Sequence, residues 1–488
     1  MTIISQTLQI ALKHHQAAQL READSLYHQI LQEDPGHSDA LNLSGLIAHQ
    51  TGNNTKAADL INKAILSNPK NPDYYYNLGI VLSALEKWKE AIHAYRQTIR
   101  LRPGYFEALN NLGNILREHS NTDSAIEIYN KALKLKPDCV EAWNNLGNVL
   151  KEQGQIENAI ENYKKAIQIK PDYAEAWNNL GSAMSAQNRF KDAIEHYRHA
   201  LKLKPDYAEA WSNLGGVMEI IGEFNTSIES YRQALKHKPD YNIAFSNLLY
   251  LLSYNVVCSP EQILVEHRNW GCIHEEKQKI HNFSHIKPTN PNKRLRIGYV
   301  SSDFRKHALS FFFEPILRNH DKSHVEIYCY SNVNEPDDTT ERLKTIADEW
   351  CSTLEMNDTE VAQKIYDDKI DILIDLAGHT AKNRLIIFSY RPAPVQITYL
   401  GYCNTTGLKS MDYWITDSVL HPEDTFELAV EDIVRLQRCW TCYQPPVDAP
   451  EIKTDMLANK IITFGSFNNV SKLSKNVIEC WSQLLKEV

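Results

Sequence analysis

The chain has 488 residues, 43% of them apolar and 23% charged, which gives room for about three ordinary globular domains. Asp plus Glu (61) exceed Lys plus Arg (52), and a net charge of -9 argues against a chain-wide attraction for phosphate backbones, so no nucleic-acid partner is expected. Nine cysteines are scattered from Cys139 to Cys480, an odd and sparse set that fits reduced thiols rather than a disulfide framework.

The opening stretch, MTIISQTLQIALKHHQAAQLREAD, has no basic segment followed by an apolar core and cleavage site. No later run approaches the roughly 18 apolar residues of a membrane span, so a cytoplasmic protein without a membrane partner is expected. Proline then recurs at Pro35, Pro69, Pro103, Pro137, Pro171, Pro205 and Pro239, each 34 residues after the last. Gly45, Gly79, Gly113, Gly147, Gly181 and Gly215 keep the same phase, with Ala57, Ala91, Ala125, Ala159 and Ala193 twelve residues after the matching glycines. This spacing predicts pairs of antiparallel helices. Gly and Ala remove bulk where the two approach, an aromatic such as Trp143, Trp177 or Trp211 fills space beside them, and proline stops the second helix. The period and these positions resemble the tetratricopeptide repeat (TPR) family. One pair cannot bury its own apolar face, so six to seven repeats over residues 1–252 should stack as an α-solenoid, a superhelix with a concave groove. The outermost units depart from the pattern, with Ala11 and Leu249 at the glycine position, as terminal caps do.

Asparagine also keeps the clock. Asn77, Asn111, Asn145, Asn179, Asn213 and Asn247 each lie two residues before the glycine position and should form a row along one face. A carboxamide carries both donor and acceptor, which suits pairing with the backbone of an extended polypeptide whatever its sequence. The alternative is that these are solvated residues recurring in NNLG-like helix starts.

After Pro239 the rhythm ends. SPEQILVEHRNWGCIHEEKQKI reads as a helical connector (253–290), started by Ser259 and Pro260, with Glu261 in the first turn. Over 291–455 the pattern becomes apolar strands (LRIGYVSSDF, VEIYCYS, DILIDLAG, VQITYLG, DYWITDS) among helical segments such as TTERLKTIADEW, TEVAQKIYDDK and KNRLIIFSYR. That alternation predicts a mostly parallel, Rossmann-like α/β sheet. No GxGxxG, Walker lysine loop or paired DxD is present, so generic signatures do not identify a ligand. The fold still predicts that ligands bind beyond the carboxyl ends of strands.

Three clusters fall at such ends. GYVSSDFRKHALS offers Asp303 and His307, whose imidazole can handle a proton near neutral pH. DLAGHTAKNRL offers His379 and Thr380. RPAPVQITYLGYCNTTGL carries Gly401 and Gly407, where backbone amides can approach a ligand closely. Cys439 and Cys442 form a CxxC, but no two further ligands stand at zinc spacing, and Tyr-Gln-Pro-Pro follows where a redox site would start a helix, so no metal is expected.

Taken in order, GYVSSDF, GHT, RPAPVQ, NTTGL, MDYWITD and FGSFNN resemble the catalytic region of the protein O-GlcNAc transferase and SPINDLY family, nearer in wording to its SPINDLY and bacterial branches. Cys403 departs from the proline usual in that loop. The resemblance implies a GT-B architecture of two Rossmann-like lobes, the second only begun here at 456–488 and expected to continue for about a further hundred residues. It implies an inverting, metal-independent transfer without a cofactor, from UDP-GlcNAc or, on the SPINDLY-like wording, GDP-fucose, to Ser or Thr hydroxyls of protein substrates held in the TPR groove. It assigns His307 to proton handling or positioning and Lys472 to the departing diphosphate. His379, Gly401, Thr405, Thr406 and Asn469 would form the donor pocket, and the asparagine row would be the family's acceptor-binding ladder. The repeats could also mediate a homodimer. The rival expectation is a non-catalytic TPR adaptor carrying a truncated transferase remnant.

Overall fold

A computed structural model describes residues 3–119, 121–254, 258–278, 283–285, 293–445, 465 and 475–487. The chain divides into two units, Met1–Pro205 and Asp206–Val488.

In the first unit the 34-residue period becomes six helix pairs: α1 (Ile3–Gln16) with α2 (Leu20–Glu33), α3 (Ser38–Gln50) with α4 (Asn54–Ser67), and α5 (Pro72–Ala84) with α6 (Trp88–Leu101), followed by α7 (Phe106–Glu118) with α8 (Thr122–Leu135), α9 (Val140–Glu152) with α10 (Ile156–Ile169), and α11 (Ala174–Ala186) with α12 (Phe190–Leu203). Each second helix stops two residues before a proline. Clash with the pyrrolidine ring pushes the intervening residue out of the helical region, and Asp34, Asn68, Arg102, Lys136, Lys170 and Lys204 accordingly take ψ between 81° and 92°. Inside five of the six pairs the turn runs through a described left-handed residue. Ala18, Gly52, Glu86, Gly154 and Asn188 all have positive φ, and the next amide bonds back to the first helix, as in Gln155 N–H to Leu150 O at 2.8 Å.

The expected packing partner of the glycines needs correcting. A Cβ on Gly79, Gly113, Gly147 or Gly181 would stand 2.6–2.8 Å from Tyr95, Tyr129, Tyr163 or Tyr197, so the aromatic that fills against each glycine is a buried tyrosine sixteen residues on. Trp143 and Trp177 instead donate their indole N–H to Pro137 O and Pro171 O, both at 2.8 Å, bracing the turn before their own helix.

The second unit opens with α13 (Ala208–Ile220), α14 (Phe224–His237), α15 (Asn242–Tyr254) and α16 (Pro260–Gln278). A seven-stranded sheet follows: β1 (Leu295–Ser301), β2 (Val325–Ser331), β3 (Glu349–Ser352), β4 (Ile372–Asp375), β5 (Val395–Thr398), β6 (Tyr413–Asp417) and β7 (Asp432–Leu436). Its order is β3-β2-β1-β4-β5-β6-β7, and every neighbouring pair is parallel. Helices α17 (Ala308–Arg318), α18 (Asp338–Ile346) and α19 (Asp358–Asp367) and the single turn α20 (Ile386–Ser389) make the crossovers. Alternate strand residues feed two cores: Val300 and Leu373 on one face, Ile297, Tyr299 and Ile374 on the other.

Three boundaries differ from expectation. Leu249, at the glycine position of the last repeat, is fully buried in the same core as Trp270 of α16, Val300 and Leu373, so α15 and α16 are part of the α/β core rather than a repeat end and a free connector. The segment TTERLKTIADEW ends its helix at Ile346 and turns into β3, because Trp350 joins the apolar core beside Phe304. KNRLIIFSYR keeps only the turn α20, and β7 was not anticipated. Of 456–488, only Gly465 and α21 (Lys475–Glu487) are described.

Candidate active site

From β1 the sheet runs to β2 on one side and to β4 on the other, so the carboxyl ends of β1 and β4 form a topological switch point, where open parallel sheets leave a ligand crevice. The loops 302–307 and 376–382 flank it. They touch through Ser302 Oγ, which donates to Ala381 O at 3.4 Å.

His307 closes the first loop as the N-cap of α17. Its Nδ1 accepts the Leu309 N–H at 3.3 Å and also stands 3.7 Å from Asp303 Oδ2, with the side chain 44% exposed. While Nδ1 is an acceptor, a neutral imidazole carries its proton on Nε2, so the free nitrogen is a donor. Turning Nδ1–H toward Asp303 would convert Nε2 to an acceptor, and the neighbouring carboxylate therefore selects between two roles.

The second and third clusters are brought together, but most of their side chains point inward. His379 is buried and neutral: burial and the nearby His267 imidazole hold its pKa well below the ordinary value. Its Nε2–H donates to Thr406 O at 2.8 Å, which leaves Nδ1 to accept from Ser246 Oγ at 3.3 Å, so it ties α15 to the third loop. Thr405 and Thr406 are fully buried. Both hydroxyls and the Thr406 N–H are gripped by Glu431, with Thr405 Oγ1 at 2.6 Å and Thr406 N at 2.7 Å. Burial pushes the Glu431 carboxyl up from its usual range, and no cation is among its bonded partners. Asp375, at the end of β4, accepts Ala377 N–H, Gly378 N–H and the Thr398 hydroxyl, and burial raises its pKa to about 6.

Backbone contact explains two of the glycines. A Cβ on Gly401 would fall 1.9 Å from Leu376 O, and one on Gly407, whose φ is +81°, would fall 2.1 Å from His267 O. The loops after β4 and β5 and helix α16 are thereby locked together, with Tyr402 OH 2.8 Å from His267 Nε2 and 2.9 Å from Ser253 Oγ.

Above this buried layer a cavity of about 340 Å3 opens at the carboxyl ends of β5 and β6, lined by Thr380, Gly401, Cys403, His421, Glu427 and Trp440 among others. His421 pins its wall, with Nδ1 2.7 Å from Thr416 Oγ1 and Nε2 2.5 Å from Glu427 Oε2. Among the described residues of the expected donor set, Gly401 alone lines it; His307 does not. Lys472 and Asn469 lie outside the described residues. Among the described residues no three His, Cys, Asp or Glu side chains are grouped to hold a metal, and no helix is long and apolar enough to cross a membrane.

In the first unit, Asn77, Asn111, Asn145 and Asn179 are half-buried along the first helices of their pairs. Asn213 and Asn247 hold the same positions in α13 and α15 of the second unit. Sequence reading missed Glu431, Tyr402, His421 and Trp440. Tyr402 and Cys403 sit inside the singled-out GYCNTTGL and could have been found there, whereas Glu431 belongs to no period or motif.

This combination of helix-pair repeats and a parallel α/β domain, with an open cavity at its strand ends, defines a repeat-bearing Rossmann-like protein. Residues 246–441 match the model of glycosyl transferase family 41, and tetratricopeptide repeat models match 14–78, 76–138, 128–161, 147–188 and 184–219. The family 41 match starts inside α15, where the α/β core also begins. A probable UDP-N-acetylglucosamine–peptide N-acetylglucosaminyltransferase SPINDLY of Arabidopsis thaliana is 38% identical over 234 residues, 46% of this chain and 25% of that protein. A UDP-N-acetylglucosamine–peptide N-acetylglucosaminyltransferase of Caenorhabditis elegans is 38% identical over 152 residues, 31% of this chain and 12% of the relative. Among solved structures, a mutant O-GlcNAc transferase of Thermobaculum terrenum aligns with a TM-score of 0.63 at 33% identity, covering 71% of this chain and 66% of its own. In both its repeats and its α/β domain the chain is similar to the O-GlcNAc transferase and SPINDLY family. The matched segment spans about a quarter of the plant relative's length.

Proposed function

We propose that this chain belongs to a protein O-glycosyltransferase, which moves a sugar from a nucleotide sugar to Ser or Thr hydroxyls of polypeptides held by its TPR repeats. The observation that carries this reading is the family 41 match over a parallel sheet whose carboxyl edge holds a cavity lined by Gly401 and Thr380. In the proposed step the acceptor oxygen bonds to the anomeric carbon as the bond to the diphosphate breaks, with inversion at that carbon. His307 handles or orients the hydroxyl proton, with Asp303 setting its tautomer, and Lys472 neutralises the departing nucleoside diphosphate, work that a metal does elsewhere. Gly401 borders the sugar directly. His379, Thr405 and Thr406 act from beneath, by shaping the loop rather than touching the donor, and Asn469 adds a polar contact. The asparagine row pairs with the acceptor backbone. We take the donor to be UDP-GlcNAc, with GDP-fucose the competing choice, and the setting to be cytoplasmic.

The test is a donor screen with the intact enzyme to which these residues belong, read by mass spectrometry of a co-expressed substrate protein. A mass gain matching N-acetylhexosamine or deoxyhexose on Ser or Thr, lost on His307→Ala, is expected. Transfer of neither sugar would refute the assignment and leave the adaptor reading.

A further inference from the structure

In the unit Met1–Pro205, Asn77, Asn145 and Asn179 of the row are each held from behind by the first helix of the preceding pair. Asn77 Nδ2 donates to Asn42 Oδ1 at 3.0 Å, Asn145 Nδ2 to Asn114 Oδ1 at 3.0 Å, and Asn179 Nδ2 to Asn144 Oδ1 at 2.9 Å. At the remaining step Tyr76 stands in place of asparagine. The residues behind are inside: Asn42 is 6% and Asn144 4% exposed, so their carboxamides face the protein rather than solvent.

A carboxamide can turn over by 180°, exchanging donor and acceptor. In water the two orientations differ little, and a row free to turn would offer a polypeptide an arbitrary mixture of donors and acceptors. Tying one N–H of Asn77 and of Asn179 to the buried Asn42 and Asn144 oxygens removes that freedom, because the turned-over state sets oxygen against oxygen and leaves a buried acceptor unpaired. At Asn145 the half-buried Asn114 oxygen, which also accepts the Tyr129 hydroxyl, likewise opposes the turned-over state by oxygen–oxygen repulsion. The second N–H and the Oδ1 of these row residues then keep one fixed sense, and the ordering that a bound chain would otherwise impose is already in place. One step departs from the register. Asn110 occupies the position of Asn42 and Asn144, yet Asn145 bonds to Asn114, one helical turn along, and Asn110 Oδ1 is buried without a partner.

We propose that Asn42, Asn114 and Asn144 are positioning residues for an extended polypeptide: a second layer that fixes the orientation of the row carboxamides they hold, without touching the bound chain. This inference rests on the acceptor-binding reading of the row.

The experiment measures binding of fluorescently labelled, reduced and carboxymethylated lactalbumin, a chain that cannot refold, to the protein by anisotropy. Asn179→Ala should weaken binding about fivefold, the worth of one hydrogen bond. Asn144→Leu should weaken it similarly and add little in the Asn179→Ala background. Asn144→Asp, which keeps an oxygen of the same reach, should restore most of it, a rescue that loss of repeat packing alone would not give. Asn42→Leu repeats the test against Asn77→Ala at a separate step, should Asn144→Leu fail to fold. If the row variants weaken binding but the leucine variants do not, or if the two effects simply add, the positioning role is overturned and the row reading stands. If the wild type does not bind, or Asn179→Ala and Asn77→Ala change nothing, the row reading falls and this inference falls with it.

Discussion

At the scale of single residues, two side chains in the α/β domain separate structural from chemical work. His307 both caps α17 and carries the imidazole assigned to the acceptor proton. His307→Asn keeps an N-cap side chain but removes the titrating ring. Its melting temperature should stay close to wild type while transfer falls about a hundredfold, the usual contribution of a general acid or base. Equal activity would move proton handling elsewhere. Glu431 poses the converse case. Its carboxylate satisfies three buried donors, and Glu431→Gln substitutes a group that cannot accept them all. A loss of about 1–3 kcal/mol in urea unfolding is expected, and a neutral result would mean the clamp is dispensable. Neither role can be read from sequence in the same way. His307 is flanked by a motif, whereas a solitary glutamate before β7 has neither period nor spacing to mark it, and its partners lie 25 and 26 residues away.

At the scale of elements, the repeat was legible because every determinant lies within one period: proline, glycine and alanine each act on a neighbouring turn. What escaped was which aromatic opposes the glycine, since Trp and Tyr recur with the same period and only geometry tells them apart. Gly147→Ala would place a methyl 2.6 Å from the Tyr163 ring. It should cost about 1–3 kcal/mol and raise hydrogen exchange in α9, α10 and their immediate neighbours while sparing β1 and β4. Combining it with Tyr163→Leu should recover part of the loss, and a fully additive double variant would show that this contact is not the limiting one. The α/β strands were legible where they sit in β-branched, apolar runs, as β1, β4 and β5 do. β3 and β7 were not, because four or five residues with mixed polarity become strands only through pairing with β2 and β6.

At the scale of the molecule, the second unit depends on histidines that stay neutral. Burial lowers His267 to about 4, and His379 well below its ordinary value. The groups around them are Trp270, Tyr402, His274, Ser246 and Ser253, with no carboxylate among their hydrogen-bond partners. Above pH about 6.5 these histidines are uncharged both folded and unfolded and contribute nothing to pH dependence. As pH falls below that, the unfolded chain takes up protons that the fold refuses, and stability drops, by about 3 kcal/mol for His267 alone once pH reaches its folded value. Asp375 acts in the opposite sense. With its folded pKa raised to about 6, its contribution is fully present below the ordinary aspartate range and is lost as pH rises through about 6. Urea unfolding at pH 7.5 and 5 should therefore show a smaller gap for His267→Gln than for wild type, and a larger one for Asp375→Asn. Unchanged gaps would mean these groups titrate normally in the fold.

The left-handed turn that joins helices within the pairs has one more consequence. Because both the turn and the proline that ends the pair are specified by residues within a single copy, one copy can be duplicated or deleted by in-phase recombination and the new joint inherits its own punctuation. That freedom stops at α15, where Leu249 has taken the place of the small residue and is sealed into the sheet's core. Variation in the number of copies among relatives should therefore accumulate upstream of this fused junction, where the reach of the array can be retuned without disturbing the α/β domain.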